Sequence, residues 1–171
     1  MAELMARMAE IAVSRHEADV LVALGLGSCI GVAVLDRASL VAGLAHVVLP
    51  ESREGSAAVP GKFADTAVPE LLRQVIALGA VKSRLSAVLV GGAQMFASGG
   101  SGSLDIGRRN EQAVRTGLAV AGIPISVAVT GGSAGRTMRV HLESGIVTCK
   151  QAGSTEETIA TRGATILRQA A

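Results

Sequence analysis

Cys29 and His46 are the residues on which chemistry can be built. Cys29 ends the run Gly25-Leu-Gly-Ser-Cys29, between one apolar β-type stretch and the next. Glycines there let the backbone turn sharply and bring amide N–H groups close to a bound carbonyl. His46 lies in Val41-Ala-Gly-Leu-Ala-His46-Val-Val-Leu-Pro50. The break at Asp36–Ser39 folds residues 40–49 back onto residues 30–35. Cys29 stands seven residues before that break and His46 seven after it, so a simple antiparallel register brings both to one end of a hairpin. A Cys–His pair at that place can hold a thiolate–imidazolium and attack a carbonyl. Each residue also has a plain structural explanation. Free cysteine is among the most buried residue types, and a lone histidine in an apolar run is more often a hydrogen-bonded core residue.

The other candidates carry less. Cys149 lies on a β-patterned run with no glycine turn beside it and is assigned no role. His16 and His141 have no comparable relation to a cysteine. Arg108, Arg109 and Arg136 read as solvated or loop-anchoring cations, with Asp65 a partner for one of them. Glycines 25 and 27 open a G-x-G pattern, but Ile30 occupies the third glycine position and a strand follows, so a dinucleotide fingerprint is rejected. Two cysteines and three histidines give no zinc-type spacing and no disulfide framework, and attack of a Cys–His pair on a carbonyl needs neither a metal nor an organic cofactor.

The whole chain sets the frame. Its 171 residues fit one domain, taken as residues 1–171. A formal net charge of +2 excludes a strongly basic nucleic-acid binder, and Phe63 and Phe96 alone make no base-stacking platform. Mean hydropathy is high at +0.46, and two 20-residue stretches, Leu85 to Leu104 and Thr116 to Gly135, carry no charge. Both are interrupted by glycines, so they read as buried strands and turns rather than as membrane spans. Residues 1–10 contain Glu3 and Glu10 and no long apolar core, unlike a signal peptide. Free thiols and no export signal point to the cytoplasm.

Short β-rich runs must position the pair: 20–24, 30–35, 40–49, 85–90, 123–129, 137–142 and 146–150, with hairpin turns at Asp36–Ser39 and Ser144–Gly145. Helical periodicity appears three times. The first helix carries Val68, Leu71, Leu72, Val75 and Ile76, capped by Asp65 or Thr66, with Pro69 in its first turn and Gly79 at its end. The second runs from a cap at Asn110 through Val114 and Leu118 to Gly122. The third opens on the capping box Ser154-Thr-Glu-Glu157, with Ile159, Ile166, Leu167 and Ala170 as its stripe. Strands in antiparallel order with helices inserted singly predict a mixed, layered α+β fold. The glycine-rich stretch Gly91–Ser103 is expected to be mobile, with Met95 and Phe96 as anchors for a partner helix or as core plugs.

In order along the chain, these segments resemble the CheD family of bacterial chemotaxis proteins. Leu24-Gly-Leu-Gly-Ser-Cys29-Ile-Gly-Val is similar to the family's nucleophile motif, and Gly43-Leu-Ala-His46-Val-Val-Leu-Pro50 to its histidine motif. Lys62-Phe-Ala-Asp65-Thr-Ala-Val-Pro69, Gly91-Gly-Ala-Gln-Met-Phe96, Ile106-Gly-Arg-Arg-Asn110 and Gly131-Gly-Ser-Ala-Gly-Arg136 follow. The resemblance covers nearly all the chain except its first dozen and last twenty residues. It implies an α/β/β layered sandwich of mixed, largely antiparallel sheets, of the cysteine-hydrolase deamidase type. It also implies hydrolysis of selected glutamine side-chain amides on chemoreceptor cytoplasmic helices, with a CheC-type phosphatase as a binding partner.

In that reading Cys29 attacks the amide carbonyl, His46 takes and returns its proton, and backbone N–H groups around Gly27, Ser28 and Cys29 hold the oxyanion. Two positions depart from the family pattern. Ala23 stands where members carry the threonine that completes a Cys–His–Thr triad, and Val129 where an acidic residue is usual. Loss of the orienting hydroxyl should leave the His46 tautomer less well fixed. The alternative is therefore a catalytically weak adaptor that binds receptor or CheC-type partner through the same cleft. Methyl-ester hydrolysis on the same receptors would use the same acyl chemistry.

Overall fold

The computed structural model describes residues 1–53, 58–95 and 105–162. Ten strands and two helices follow one another along the chain. They are β1 (Glu3–Met5), β2 (Ile11–Ser14), β3 (Val20–Leu26), β4 (Ile30–Asp36), β5 (Val41–Val47), α1 (Ala64–Ala77), β6 (Ser86–Gly91), α2 (Ile106–Ala121), β7 (Ile125–Thr130), β8 (Arg136–His141), β9 (Ile146–Gln151) and β10 (Glu156–Ala160). Two five-stranded sheets result, ordered β1-β3-β8-β9-β10 and β2-β5-β4-β6-β7. Each is antiparallel except for one parallel pair, β1 with β3 and β6 with β7.

Burial explains the layering. Every residue of β4 and β5 is buried, as befits strands covered on both faces. Along β4, Ala33 and Leu35 face the first sheet, and Ile30, Val32 and Val34 face the helices. One core fills the space between the sheets with Leu21, Leu44, Val88, Met138 and Val140. A second lies under the helices, where Val68, Leu71, Val75, Val114 and Leu118 cover the second sheet. The result is an α+β fold of three layers, helix on sheet on sheet. On β8 the buried and half-buried residues alternate, as expected where only one face is covered.

The seven expected strands and both expected hairpins form. Three helix expectations need correction. α1 begins at Ala64, after an extended Phe63, so Pro69 falls in its second turn. Neither proposed cap acts as one: the Asp65 carboxylate accepts the N–H of Ser52, and the Thr66 hydroxyl donates to the carbonyl of Pro60. α2 starts at Ile106, so Asn110 lies inside it and is fully buried instead of capping it. Both expected ends hold, at Gly79 and at a left-handed Gly122. The third helix is replaced over residues 156–160 by β10, which pairs with β9 through Glu157↔Cys149 and Thr158↔Thr148. A capping box satisfies only local groups, whereas this segment offers β-branched Thr158 and Ile159 to an open sheet edge. Glu156 accepts from Thr148 Oγ1 at 2.6 Å and Arg139 Nη1 at 3.2 Å, and Ser154 donates back to Gln151 O. The remainder of that helix expectation, and most of the Gly91–Ser103 loop including Phe96, lie outside the described residues.

Candidate active site

The end of the second sheet where β4 begins and β5 finishes gathers the candidate residues. β4 and β5 pair with Ile30 opposite Val47 and Gly31 opposite His46. His46 therefore follows Ala42 and Leu44 onto the face turned toward the first sheet, the face that Cys29 also takes. Cys29 stands one residue before the ladder begins, two before the Gly31 that pairs with His46, so both belong to the same end of the hairpin. The hairpin thus places both residues at one end, as the spacing predicts, with no hydrogen bond from His46 Nε2 to Cys29 Sγ.

Three successive carbonyls fasten the cysteine turn. Gly27 O accepts from Ala93 N at 2.8 Å, Ser28 O from Asn110 Nδ2 at 2.9 Å, and Cys29 O from Gly92 N at 2.9 Å. Gly91 makes this possible, because a Cβ there would collide with the carbonyl of Cys29. Arg136 is not a solvated cation. It is buried, and its Nη1 donates to Gly91 O (3.2 Å) and Gly131 O (2.8 Å), tying β6 to the turn after β7. Arg108 stays on the surface near Asp105, and the ion pairs of the described residues give Asp65 no arginine. The N–H of Gly27 is already donated to Gly25 O. No carbonyl of the described residues accepts the N–H of Ser28 or Cys29.

His46 is held from the N-terminal segment, which carries no motif that pointed to it. Its Nδ1 lies 3.1 Å from the carbonyl of Ala6, and its backbone bonds to Ala9 N and Glu10 O, each at 3.0 Å. A carbonyl only accepts, so Nδ1 carries the proton and Nε2 keeps its lone pair. Nε2 is buried and has no partner among the described residues. Burial pushes the His46 pKa below its ordinary value, against the Ala6 carbonyl and Glu10, which pull it up. Burial likewise pushes the Cys29 thiol up, and its own N–H opposes this. Both shifts favour the neutral forms, a thiol at Cys29 and an imidazole at His46, over the thiolate–imidazolium that the pairing alone invites.

Burial does not distinguish the two cysteines, since Cys29 is 8% and Cys149 7% exposed. Their neighbours do. Cys149 sits within the β9 ladder opposite Met138 and Glu157, with no histidine across from it. Ala23 is fully buried in β3 opposite Met138. Past His46 the chain lines a cavity of about 650 Å³, together with Lys62, Phe63, Ile106 and Arg109. The described residues contain no cluster of His, Cys, Asp and Glu fit for a metal ion. None of their helices is long and apolar enough to cross a membrane.

The family model described as CheD chemotactic sensory transduction matches residues 48–151, beginning two residues after His46. A protein of Methanococcus vannielii named probable chemoreceptor glutamine deamidase CheD is 44% identical over 126 residues, covering 74% of this chain and 81% of its own. A Clostridium novyi protein of the same name is 46% identical over 135 residues, covering 78% and 83%. One of Pyrococcus abyssi, also so named, is 46% identical over 124 residues, covering 72% and 76%. Among solved structures, a Neisseria meningitidis protein overlaps 76% of this chain and 63% of its own at 14% identity and a TM-score of 0.42, too distant to bear on function.

Proposed function

Because the chain belongs to the CheD family, we propose that it hydrolyses selected glutamine side-chain amides of chemoreceptors to glutamate and ammonia, with Cys29 as nucleophile. The observation that carries this reading is the free Nε2 of His46, fixed in its tautomer by Ala6 O and set on the same sheet face as Cys29. The names of the relatives supply the substrate class. Chemoreceptor cytoplasmic helices are then the partner, and the cytoplasm is the compartment. A CheC-type phosphatase is the further partner that the family resemblance implies.

As Cys29 Sγ attacks the amide carbon, its proton passes to His46 Nε2, so no free thiolate has to be maintained. The carbonyl oxygen becomes an oxyanion, and the N–H groups of Ser28 and Cys29, which no carbonyl of the described residues accepts, are its stabilisers, that of Cys29 turning to it from its own sulfur. Gly27 contributes the turn and not a donor. The imidazolium gives its proton to the departing nitrogen, ammonia leaves, and a glutamyl thioester remains. His46 next deprotonates a water, which adds to the thioester and restores the thiol. No step calls for a metal or an organic cofactor.

The missing hydroxyl at Ala23 favoured an adaptor, but the Ala6 carbonyl fills the orienting position and removes that reason. The test is mass spectrometry of a purified receptor cytoplasmic domain incubated with the protein. Wild type and Cys29-intact Cys149→Ala should both convert glutamine to glutamate in identifiable peptides, while Cys29→Ala should convert none. Conversion by Cys29→Ala at the wild-type rate would overturn the assignment.

A further inference from the structure

We propose that Asn110 is a positioning residue for the Cys29–His46 pair, its side-chain amide clasping the turn that carries the thiol to the strand that carries the imidazole. The inference rests on the deamidase reading above. Asn110 Nδ2 donates to Ser28 O and to Val48 O, both at 2.9 Å. These acceptors lie 82 and 62 residues away in the chain. One immediately precedes Cys29 and the other is two residues beyond His46. Both are carbonyls, so the orientation of the amide is settled by its partners.

The clasp is needed where it occurs. Ladder pairing between β4 and β5 stops at Ile30↔Val47, before either Ser28 or Val48. Gly27 and Cys29 are held from the other side, through Ala93 and Gly92. Only Asn110 ties the cysteine turn toward the histidine strand among the described residues. The first turn of α2 is pressed onto that same segment, since a Cβ at Gly107 would lie 2.7 Å from Gly92 O and 2.8 Å from Ala93 O. Gly107, Asn110, Val114 and Leu118 form the buried stripe of the helix, and asparagine is its one polar member. Asparagine is also a poor choice for a helix interior on local grounds. Its Oδ1 is buried with no partner among the described residues, a cost to folding that an apolar side chain would avoid. A double donor aimed at two carbonyls accounts for its presence.

The test follows alkylation of Cys29 by iodoacetamide at neutral pH, read peptide by peptide with Cys149 as internal reference. Wild type, His46→Ala, Asn110→Ala and the double variant are compared, with turnover on a receptor cytoplasmic domain. His46→Ala should slow Cys29 alkylation. Asn110→Ala should slow it about tenfold and lower kcat at least as much with KM little changed, as expected when reacting groups drift by a fraction of an ångström to one ångström. In the His46→Ala background Asn110→Ala should add nothing, because it acts through the pair. A general loosening of the fold would instead expose Cys29 and speed its alkylation in both backgrounds, which would overturn the proposal. If Asn110→Ala does not melt cooperatively, Asn110→Ser, which keeps one donor, should give an intermediate rate, and a wild-type rate there would equally overturn it. Unchanged alkylation in His46→Ala would defeat the Cys–His reading and the clasp with it. Slowing in His46→Ala but not in folded Asn110→Ala would defeat the clasp alone.

Discussion

The orientation of His46 is the residue-scale question, and a backbone atom answers it. A carbonyl serves as the acceptor for Nδ1–H as well as a threonine hydroxyl does, and it cannot be lost by substitution at Ala6. Restoring the family's residue should therefore bring no benefit. Ala23→Thr should leave kcat within about twofold, because Nδ1 already has its partner. It should lower stability by about 1–3 kcal/mol, because position 23 is fully buried and overpacking is costly. At this chain length that is roughly 2–4 °C of melting temperature per kcal/mol. The pH profile belongs to the same measurement. Burial disfavours the imidazolium, and His46 must be neutral to accept a proton. Activity should then rise with pH through a midpoint below 6.5, the ordinary histidine value, in both proteins. A several-fold gain in kcat on adding the hydroxyl would show that Ala6 does not fix the ring, and a midpoint above 6.5 would show that burial does not outweigh the pull of the Ala6 carbonyl and Glu10.

At the scale of elements, what the sequence made legible were features set by local pattern. The hairpin that carries Cys29 and His46 to one end followed from the break at Asp36–Ser39, with His46 opposite Gly31 and Cys29 just outside the ladder, and β4 and β5 followed from unbroken apolar runs. What escaped was set by partners distant in sequence. Residues 156–160 satisfy a helix-start rule, yet an open edge of β9 takes them as a strand. Asn110 looks like a cap because asparagine usually is one, and only its place on a stripe with Val114 and Leu118 hinted at burial. The segment between β1 and β2 has no motif at all, yet it holds His46 by three contacts. That segment is itself wedged. A Cβ at Gly61, in the short helical turn before α1, would collide with the Ala9 carbonyl. Ala9 is already in the left-handed region at φ 67°, so the backbone has little freedom to yield. Gly61→Ala should displace residues 6–10 from His46, lowering kcat about tenfold and stability by about 1–3 kcal/mol. Unaltered turnover in a folded Gly61→Ala protein would show that the segment can shift without disturbing the ring.

Across the whole molecule, the N-terminal segment joins the two sheets. β1 adds to the edge of one sheet beside β3, and β2 to the edge of the other beside β5. The crossing between them passes over the end of β5, and Ala6 N bonds to Val22 O while Ala6 O receives His46 Nδ1. The imidazole is thereby referenced to the first sheet, although it grows from the second. Removing residues 1–10 tests this directly. It takes away the Ala6, Ala9 and Glu10 contacts and the three residues of β1, but leaves both cores, Cys29, His46 and Asn110 in place. The shortened protein should fold with a lower melting temperature, because its cores draw on residues beyond position 10 with the sole buried exception of Ala6. Its kcat should fall by about 10- to 100-fold, less than the roughly 10⁴-fold that follows loss of a charged orienting group in a serine-protease triad, since a neutral carbonyl stabilises the imidazolium less. The ring would be free to take either tautomer, and the form with the proton on Nε2 cannot act as base toward Cys29. Full turnover by a folded protein lacking these ten residues would mean that His46 is oriented from within its own sheet, and that the crossing segment serves stability alone.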